Sequence, residues 1–366
     1  MNRRSAFPRA VAGVILVLAL SSAAPSSAQE PERWPGYKIE YEDWADCHYP
    51  WTRPDRFRCR APTGGRVAGF VPFLAQIFVD LPAEAFDADF RKGKTLYEMQ
   101  HVCGGALVAP DWVLTAAHCI REDQPAQGYK VRLGVDRISD QREGLVFEIE
   151  EVVRHSGYVP LTRDDIALVR IRPKPMAPVR NPEYRNRPLR IGEISADTQA
   201  QSDSADPAQG RFIKFINIAR PANVPADRFP WGFEAVTVYG WGKTRDIPGD
   251  APAPDTYLVE LNAIPNELCA RLDGYGAEKV PAGVFCAVHA TRKTCRGDSG
   301  GPVLDALGNV IGIVSWGKNQ CIGDGQPGVY TRVAHYSDWI DKIIGESLKR
   351  RAAEPRNAQQ SSGREP

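Results

Sequence analysis

Three short stretches of the sequence carry side chains that could do chemistry together. They are Leu114–Cys119, which contains His118, Asp164–Val169, which opens with two aspartates, and Gly297–Pro302, which contains Ser299. A serine hydroxyl is a poor nucleophile at neutral pH and needs an imidazole to take its proton. The imidazole needs a carboxylate on its other nitrogen, which fixes the tautomer and stabilises the imidazolium. The three stretches together therefore indicate nucleophilic catalysis by a serine.

The serine is surrounded by glycines, Gly297, Gly300 and Gly301. They permit a tight turn that aims backbone N–H groups at a developing oxyanion. Each stretch alone would be a weak signal, because a histidine after a strand and a Gly-Asp-Ser-Gly turn also occur in structural roles. All three in the order His, Asp, Ser have few structural explanations.

The sequence lacks the residue spacings that are typical of metal centres. It contains neither a Cys-x-x-Cys pair nor a His-Glu-x-x-His motif, which argues against zinc and iron–sulfur sites. We therefore expect neither a metal nor a cofactor.

The elements that must position these side chains are predicted to be strands. The 32 glycines and 30 prolines in 366 residues suit many short strands joined by turns. One helix is predicted at the C-terminal end, over Asp338–Leu348, where Trp339, Ile340, Ile343 and Ile344 have helical spacing. Examples of the apolar runs that indicate strands are Pro72–Val79, Val102–Val108, Trp112–Ala117, Ile166–Ile171, Ala235–Tyr239, Val310–Ser315 and Val329–Val333.

The charge balance excludes a global electrostatic attraction to polyanions. With 46 Lys+Arg against 45 Asp+Glu the formal net charge is +1, which gives no field to hold nucleic acid or an anionic membrane. With 43% hydrophobic residues the chain can bury a large core. We expect no nucleic-acid or membrane partner.

The first 28 residues have the three parts of a secretory signal peptide. Arg3, Arg4 and Arg9 precede the apolar run Val11–Leu20, and small residues follow at Ser26–Ala28. The apolar run is well short of the roughly 20 residues that span a bilayer. The protein is therefore predicted to be secreted or periplasmic, with residues 1–28 removed.

Export changes how the eight cysteines are interpreted, because disulfides are the default outside the reducing cytosol. Many pairings are possible, and the residues alone do not choose among them. The cysteines are Cys47, Cys59, Cys103, Cys119, Cys269, Cys286, Cys295 and Cys321.

The remaining segments divide the chain further. Residues 29–60 are rich in aromatic side chains and are predicted to pack against the main body, which spans residues 61–348. Asp80–Glu98 and Glu193–Gly210 are predicted to be long surface loops. Residues 349–366 are polar and are predicted to form a solvated, disordered tail.

The three catalytic stretches, in this order, resemble the trypsin/chymotrypsin family of secreted serine peptidases. The resemblance runs from about Gly64 to Ile344 and includes Gly240–Gly242, Ser315–Gly317 and Pro327–Tyr330. It implies an all-β fold of two packed antiparallel β-barrels, with the active site in the cleft between them.

The resemblance also implies a role for each site residue. His118 is the general base and then the general acid, and Asp165 is the carboxylate that orients it. Asp164 is expected to be a solvated loop residue. Ser299 is the nucleophile, and the backbone N–H groups of Gly297 and Ser299 form the oxyanion hole. These roles define a secreted serine endopeptidase that forms an acyl-enzyme.

The same resemblance implies how substrate is held and how cysteines pair. Ser315, Trp316 and Gly317 are expected to present an edge to which the substrate backbone adds as an antiparallel strand. Gly317 and Gly328 are expected to form the walls of an open specificity pocket. The implied disulfides are Cys103–Cys119, Cys269–Cys286 and Cys295–Cys321, and Cys47–Cys59 is the pair left over.

The base of that pocket departs from the family pattern. In trypsin-like members the residue six before the serine is an aspartate that binds Arg or Lys, whereas here it is Lys293, followed by Thr294. Cleavage after Arg or Lys is therefore expected to be disfavoured, and an acidic side chain to be preferred. The alternative is that Lys293 turns away to pair with Asp324, which leaves a neutral pocket for small or apolar residues.

Two further questions stay open at the level of the sequence. Zymogens of the family are cut so that the ammonium of the new N-terminus pairs with the aspartate before the serine, here Asp298. Two cleavage sites are candidates, one after Arg60 and one after Arg66.

The chain could also be a catalytically silent homologue that acts as a binding module, or an esterase with the same triad. We expect a monomer that acts on protein or peptide substrates.

Overall fold

Strands account for most of the regular structure in the computed structural model. It describes residues 66–172, 190–191, 212–220, 234–244, 251–289, 292–318 and 326–353. The predicted signal peptide, the aromatic extension and the predicted loop Glu193–Gly210 lie outside the described residues. Among the helices that the structure describes, none has the length and apolar character needed to cross a bilayer.

The first barrel is closed by six antiparallel strands in the order β2-β3-β4-β7-β6-β5. Closure leaves no long unpaired edge strand. The strands are β2 (Leu74–Val79), β3 (His101–Ala109), β4 (Trp112–Thr115), β5 (Tyr129–Leu133), β6 (Leu145–Arg154) and β7 (Ala167–Ile171).

The second barrel has the order β11-β10-β13-β14-β15-β12 and is closed by pairing of β11 with β12. All its pairings are antiparallel, so the predicted pair of antiparallel barrels is confirmed. The strands are β10 (Ala235–Gly240), β11 (Tyr257–Ile264), β12 (Val284–Val288), β13 (Pro302–Leu304), β14 (Val310–Gly317) and β15 (Gly328–Arg332). A separate short parallel pair is formed by β8 (Arg190–Ile191) and β9 (Phe212–Ile213).

Apolar side chains from every strand fill the first barrel. Trp112, Leu114, Val131, Phe147 and Leu168 come from four of its strands and are at most 2% exposed. Each such side chain contributes about 1.5–3 kcal/mol relative to an exposed position. The strands next to His118 and Asp165, β4 and β7, are therefore held in a packed wall.

A two-residue strand, β1 (Arg66–Val67), is added to the second barrel. Arg66 pairs with Leu258 and Val67 with Tyr257, and the N–H of Ala68 donates to the Thr256 carbonyl at 2.8 Å. Peptidases bind extended segments whose backbone groups are free to pair. Cleavage after Arg66 would thus require β1 to leave the sheet, while Arg60 lies outside the described residues.

The predicted surface loop Asp80–Glu98 contains helical turns, which the sequence interpretation missed. They are the 3₁₀ turn Ala83–Ala85, helix α1 (Ala88–Arg91) and helix α2 (Leu96–Gln100). The Asp87 carboxylate accepts from the N–H groups of Asp89 and Phe90, and Thr95 and Glu98 form a capping box. Local capping interactions therefore give the segment Asp80–Glu98 regular structure.

Two more helices and three 3₁₀ turns complete the described elements. Helix α3 (Asn266–Ala270) follows β11, and helix α4 (Ser337–Ala353) is the last element. The 3₁₀ turns are Ala117–Cys119, Gln124–Gln127 and Val333–Tyr336.

Helix α4 is longer than predicted, so the expectation of a disordered tail from residue 349 is wrong for residues 349–353. The extra turn carries Arg350 and Arg351, which reach the first barrel. The Arg350 guanidinium lies 3.3 Å from Glu151 on β6, and that of Arg351 lies 2.6 Å from the buried Asp111. These ion pairs hold the end of the helix against the barrel; residues 354–366 lie outside the described residues.

We predict that Arg351→Ala destabilises the protein by about 1–2 kcal/mol, because it leaves the buried Asp111 carboxylate without its guanidinium partner. Burial already raises the pKa of Asp111, against the charge of Arg351. Arg350→Ala is the matched control, since Glu151 keeps Arg170 at 3.1 Å, and should change stability by at most about 0.5 kcal/mol. Urea unfolding measures the free energy of unfolding of both variants. Equal losses would contradict the larger contribution that we assign to the Arg351–Asp111 pair.

Candidate active site

The position of His118 is set by a disulfide. Strand β4 ends at Thr115, and the chain enters the 3₁₀ turn Ala117–Cys119, in which His118 is the central residue. Cys119 is bonded to Cys103 on β3, with 6.0 Å between the two Cα atoms. The side chain of His118 is 31% exposed. The imidazole is thus anchored at its base and open to solvent at its tip.

Asp165 holds the backbone and the ring of His118 at the same time. The Nδ1 atom donates to Oδ2 at 2.7 Å, and the His118 backbone N–H donates to Oδ1 at 2.9 Å. A carboxylate can only accept, so in the neutral ring Nδ1 carries the hydrogen and Nε2 is left as an acceptor. This is the tautomer that a general base needs.

Two hydroxyl groups of the second barrel complete the surroundings of Asp165. Ser315 on β14 donates to Oδ2 at 2.5 Å, and Thr331 on β15 donates to the Asp165 carbonyl at 2.8 Å. Burial raises the pKa of the carboxyl, but the hydrogen bonds and charge of His118, with the bond from Ser315, outweigh burial and leave the pKa below its usual range. Asp165 is therefore ionised at neutral pH.

Asp164 is not a solvated loop residue, so that expectation is wrong. Its side chain is 20% exposed, and Oδ1 accepts from the Tyr336 hydroxyl at 2.7 Å. Its φ of 56° lies in the left-handed region, which aspartate tolerates better than most residues. The turn directs the two neighbouring carboxylates differently, Asp164 toward Tyr336 and Asp165 toward His118.

The turn that carries Ser299 packs against the strands that lead to His118. The Gly104 N–H donates to the Ser299 carbonyl at 2.8 Å. Gly300 has a φ of 75°, and a Cβ on it would overlap the Thr115 hydroxyl and lie 3.0 Å from Cys119 Sγ. Only glycine fits at this close approach. The half-buried Ser299 is thus brought to the same wall as His118.

In the described part of the chain, no hydrogen bond joins the hydroxyl of Ser299 to the ring of His118. His118 Nε2 lies 3.7 Å from Cys119 Sγ. In substrate-free enzymes this bond is often long and tightens when substrate binds.

The backbone around Ser299 presents two unused donors. Neither the Gly297 N–H nor the Ser299 N–H donates to another residue that the structure describes. The Arg296 carbonyl, on the same peptide unit as the Gly297 N–H, accepts from the Lys243 N–H at 2.9 Å. A trans peptide directs its carbonyl and N–H to opposite sides, so the Gly297 N–H is turned away from Lys243. The two donors are those predicted for an oxyanion hole.

The Asp298 side chain ties the loop that carries Ser299 to neighbouring backbone. Its carboxylate accepts from the N–H groups of Gly242 at 2.7 Å and Cys295 at 2.8 Å. Burial raises the pKa of Asp298 to about 6, against the effect of these two bonds. A Cβ on Gly240 or Gly242 would overlap the carboxylate, which explains why glycine stands at both positions.

The predicted pocket residues converge. Gly317 and Gly328 are register partners on β14 and β15. A Cβ on Gly317 would lie 3.6 Å from Lys293 Cε, and Lys293 Nζ donates to the Lys318 carbonyl at 3.0 Å. The lysine stem therefore runs along the glycine wall. Asp324, the alternative partner of Lys293, lies outside the described residues.

Aromatic residues pack next to the strand ends that carry Gly317 and Gly328. Trp316 stacks on the buried Tyr275 with 5.6 Å between ring centroids, and the Tyr275 hydroxyl donates to the Pro327 carbonyl at 2.6 Å. The Thr294 hydroxyl lies 3.1 Å from the Tyr330 hydroxyl, so these two groups share a hydrogen bond. Sequence patterns gave no signal for Tyr275, because an isolated tyrosine in a loop has no distinctive spacing.

The disulfides Cys103–Cys119 and Cys269–Cys286 are confirmed. Cys295 is also disulfide-bonded, while Cys321, Cys47 and Cys59 lie outside the described residues. Within the described ranges, the one group with metal-ligand proximity is His118 with the two cysteines of the first disulfide. Sulfur atoms joined to each other are not thiolate ligands, so this group does not fit a metal.

Comparison with known proteins decides the family. The family model for trypsin matches residues 85–340. The chain belongs to the trypsin family. It is therefore a serine endopeptidase, a hydrolase that acts on protein or peptide substrates. Among solved structures, this trypsin-family chain is similar to neuropsin, described as a serine protease expressed in the limbic system of mouse brain, with 25% identity and a TM-score of 0.51. The similarity covers 75% of this chain and 94% of neuropsin.

The two adjacent aspartates of this trypsin-family site provide a test of its geometry. Asp165→Asn should lower kcat about 10⁴-fold at neutral pH, because an amide in place of the carboxylate favours the wrong tautomer of His118. Asp164→Asn should stay within about tenfold of wild type, since asparagine tolerates the same backbone and still accepts from Tyr336. Steady-state kinetics on a peptide substrate measure both. Equal losses would mean that the assignment of Asp165 is incorrect.

Proposed function

We propose that this serine endopeptidase is exported and cleaves peptide bonds through Ser299, His118 and Asp165. The observation that carries the proposal is the pair of bonds from His118 to Asp165, which leaves Nε2 as an acceptor beside the Ser299 turn. Export is supported by the signal-like residues 1–28 and by the disulfides, which form in oxidising compartments.

The mechanism follows from the geometry of the site. Ser299 Oγ attacks the scissile carbonyl and its proton passes to His118 Nε2, while the ionised Asp165 stabilises the imidazolium. The N–H groups of Gly297 and Ser299 bind the oxyanion of the tetrahedral intermediate. His118 then protonates the leaving amine, which leaves an acyl group on Ser299. Water activated by His118 hydrolyses this acyl-enzyme.

The specificity pocket is proposed to reject cationic side chains. A substrate Arg or Lys would bring a second positive charge toward Lys293, at a cost of about 4 kcal/mol for 4 Å and an effective dielectric of 20. The ammonium of Lys293 donates to the Lys318 carbonyl at 3.0 Å and carries a positive charge. A substrate carboxylate is attracted by that charge, so an acidic residue before the scissile bond is proposed to be preferred.

The position of the lysine stem limits the size of that residue. Because the stem lies along the wall at Gly317, it occupies space that a long substrate side chain would need. Aspartate is therefore proposed to be favoured above glutamate, and large aromatic residues to be excluded.

A neutral pocket is the second candidate for specificity. The bond from Lys293 to the Lys318 carbonyl favours it, because an ammonium already engaged with the backbone contributes less to a substrate carboxylate. In that case alanine and other small residues would be cleaved as well as aspartate.

Active-site labelling separates an endopeptidase from a catalytically silent binding module. A peptidyl organophosphonate should label the wild-type protein covalently, because the activated Ser299 displaces its leaving group. Ser299→Ala is the control and should remain unlabelled with unchanged stability. A folded wild-type protein that stays unlabelled and cleaves no peptide would favour the binding module.

A fluorogenic peptide library varied at the residue before the scissile bond tests the pocket. We expect cleavage after Asp to exceed cleavage after Arg or Lys by at least about 10²-fold, which corresponds to about 2.7 kcal/mol. Lys293→Met, which removes the charge but keeps a linear stem, should abolish the preference for Asp over Ala and retain the exclusion of aromatic residues. Preferred cleavage by the wild type after Arg or Lys would overturn the pocket assignment. Cleavage after Ala that equals or exceeds cleavage after Asp would favour the neutral pocket.

A further inference from the structure

A second histidine of the first barrel reaches the loop that carries the nucleophile. His101 is the first residue of β3, and its Nε2 lies 2.9 Å from the carbonyl oxygen of Gly297. A carbonyl can only accept, so Nε2 carries a hydrogen. In the neutral ring Nδ1 is then an acceptor, and the side-chain Nε2 of Gln76 lies 3.2 Å from it. Gln76 therefore donates to His101, and His101 donates to Gly297.

The surroundings keep this imidazole neutral and in one orientation. Burial lowers the pKa of His101 to about 4, with a smaller contribution from the charge of Arg132, against the bond to Gly297. The ring packs edge-to-face on Trp241 with 6.0 Å between centroids. Gln76 is fully buried on β2, and its Oε1 has no partner among the described residues. The Gln76 amide is therefore oriented so that its NH₂ group bonds to His101, although this leaves its oxygen without a described hydrogen-bond partner.

The carbonyl that His101 holds belongs to a residue with little conformational restraint of its own. Gly297 has a φ of 98°, which only glycine adopts readily, and no side chain of its own to pack. The peptide before it is held by the bond from the Lys243 N–H to the Arg296 carbonyl. The peptide after it is held by His101 at its carbonyl and by the bond from the Asp298 N–H to the Cys295 carbonyl at 3.0 Å. In the described part of the chain, His101 is the one side chain that bonds to Gly297. The direction of the Gly297 N–H depends on these backbone bonds and on the bond from His101.

We propose that His101, oriented by Gln76, is a positioning residue that fixes the Gly297 carbonyl, and through it the backbone conformation of Gly297, so that the Gly297 N–H points into the oxyanion hole. The inference rests on the proposed oxyanion hole of Gly297 and Ser299. In this inference Gln76 orients His101 as Asp165 orients His118, and His101 in turn orients the residue that supplies an oxyanion donor. In both pairs the partner of Nδ1 selects the tautomer, and Nε2 makes the functional contact.

Loss of this anchor should affect the transition state more than the bound substrate. The oxyanion develops only after Ser299 attacks, so a misdirected donor lowers kcat and leaves KM nearly unchanged. Removal of a whole oxyanion donor lowers kcat about 10²–10³-fold, and a donor that is misdirected part of the time should lower it about 10–10²-fold.

The experiment compares three variants with the wild-type protein. His101→Phe keeps an aromatic ring against Trp241 but removes the donor, His101→Gln retains an N–H near the position of Nε2, and Gln76→Leu removes only the partner of Nδ1. His335→Phe, at an exposed histidine, controls for the substitution itself. Each variant is measured for kcat and KM on the best library peptide, for inhibition by the matching peptide aldehyde, and for thermal stability. The aldehyde reports on the hole because its adduct with Ser299 carries an oxyanion.

We expect kcat of His101→Phe to fall about 10–10²-fold with KM within about threefold, and aldehyde affinity to fall by a similar factor. His101→Gln should recover most of the loss, and Gln76→Leu should be intermediate. Wild-type kcat in a folded His101→Phe variant would overturn the inference. So would equal losses in His101→Phe and His101→Gln that follow thermal stability, since these indicate a purely structural role. An inactive, unlabelled wild type would instead defeat the proposed function itself.

Discussion

A buried carboxylate that is shared between the two barrels is the constraint on which the active site depends. Asp165 precedes β7 of the first barrel, and it accepts from the backbone and ring of His118 in that barrel and from Ser315 in the second. An ionised carboxylate removed from water costs several kcal/mol unless its oxygens are satisfied. The second barrel must therefore be docked before Asp165 is fully paired, which makes assembly of the two barrels and assembly of the catalytic site the same event.

A second carboxylate shapes the loop of the nucleophile in the same way. Asp298 occupies space that side chains at positions 240 and 242 would fill, and two backbone N–H groups satisfy it. The loop is further held by Lys243 at Arg296 and by His101 at Gly297. Hydrogen-bond donors that are fixed before substrate arrives need no reorganisation during the reaction, which is why such loops stabilise developing charge well.

The specificity pocket and the proposed catalytic centre depend on different parts of the structure. In the proposed mechanism, chemistry at Ser299 depends on backbone geometry, whereas selection of substrate is proposed to depend on one long side chain, Lys293, whose stem lies along the wall at Gly317. A lysine is flexible and strongly hydrated, so its position depends on the contacts it makes, which include the Lys318 carbonyl. One substitution at this position can therefore change specificity without disturbing the hydrogen bonds of the catalytic residues.

The amino-acid sequence by itself determined the strands β2, β3, β4, β7, β10, β14 and β15, the three catalytic stretches and, through the family resemblance, the two disulfides seen in the structure. These features depend on local alternation of apolar residues and on glycines at fixed spacing, which are visible in a linear chain. Only the tertiary structure showed that Ser315 donates to Asp165, that Asp164 bonds to Tyr336 and that Arg351 extends helix α4 by pairing with Asp111. These contacts join residues 150, 172 and 240 positions apart. No local pattern encodes such pairs, because their partners meet only after both barrels have closed and packed.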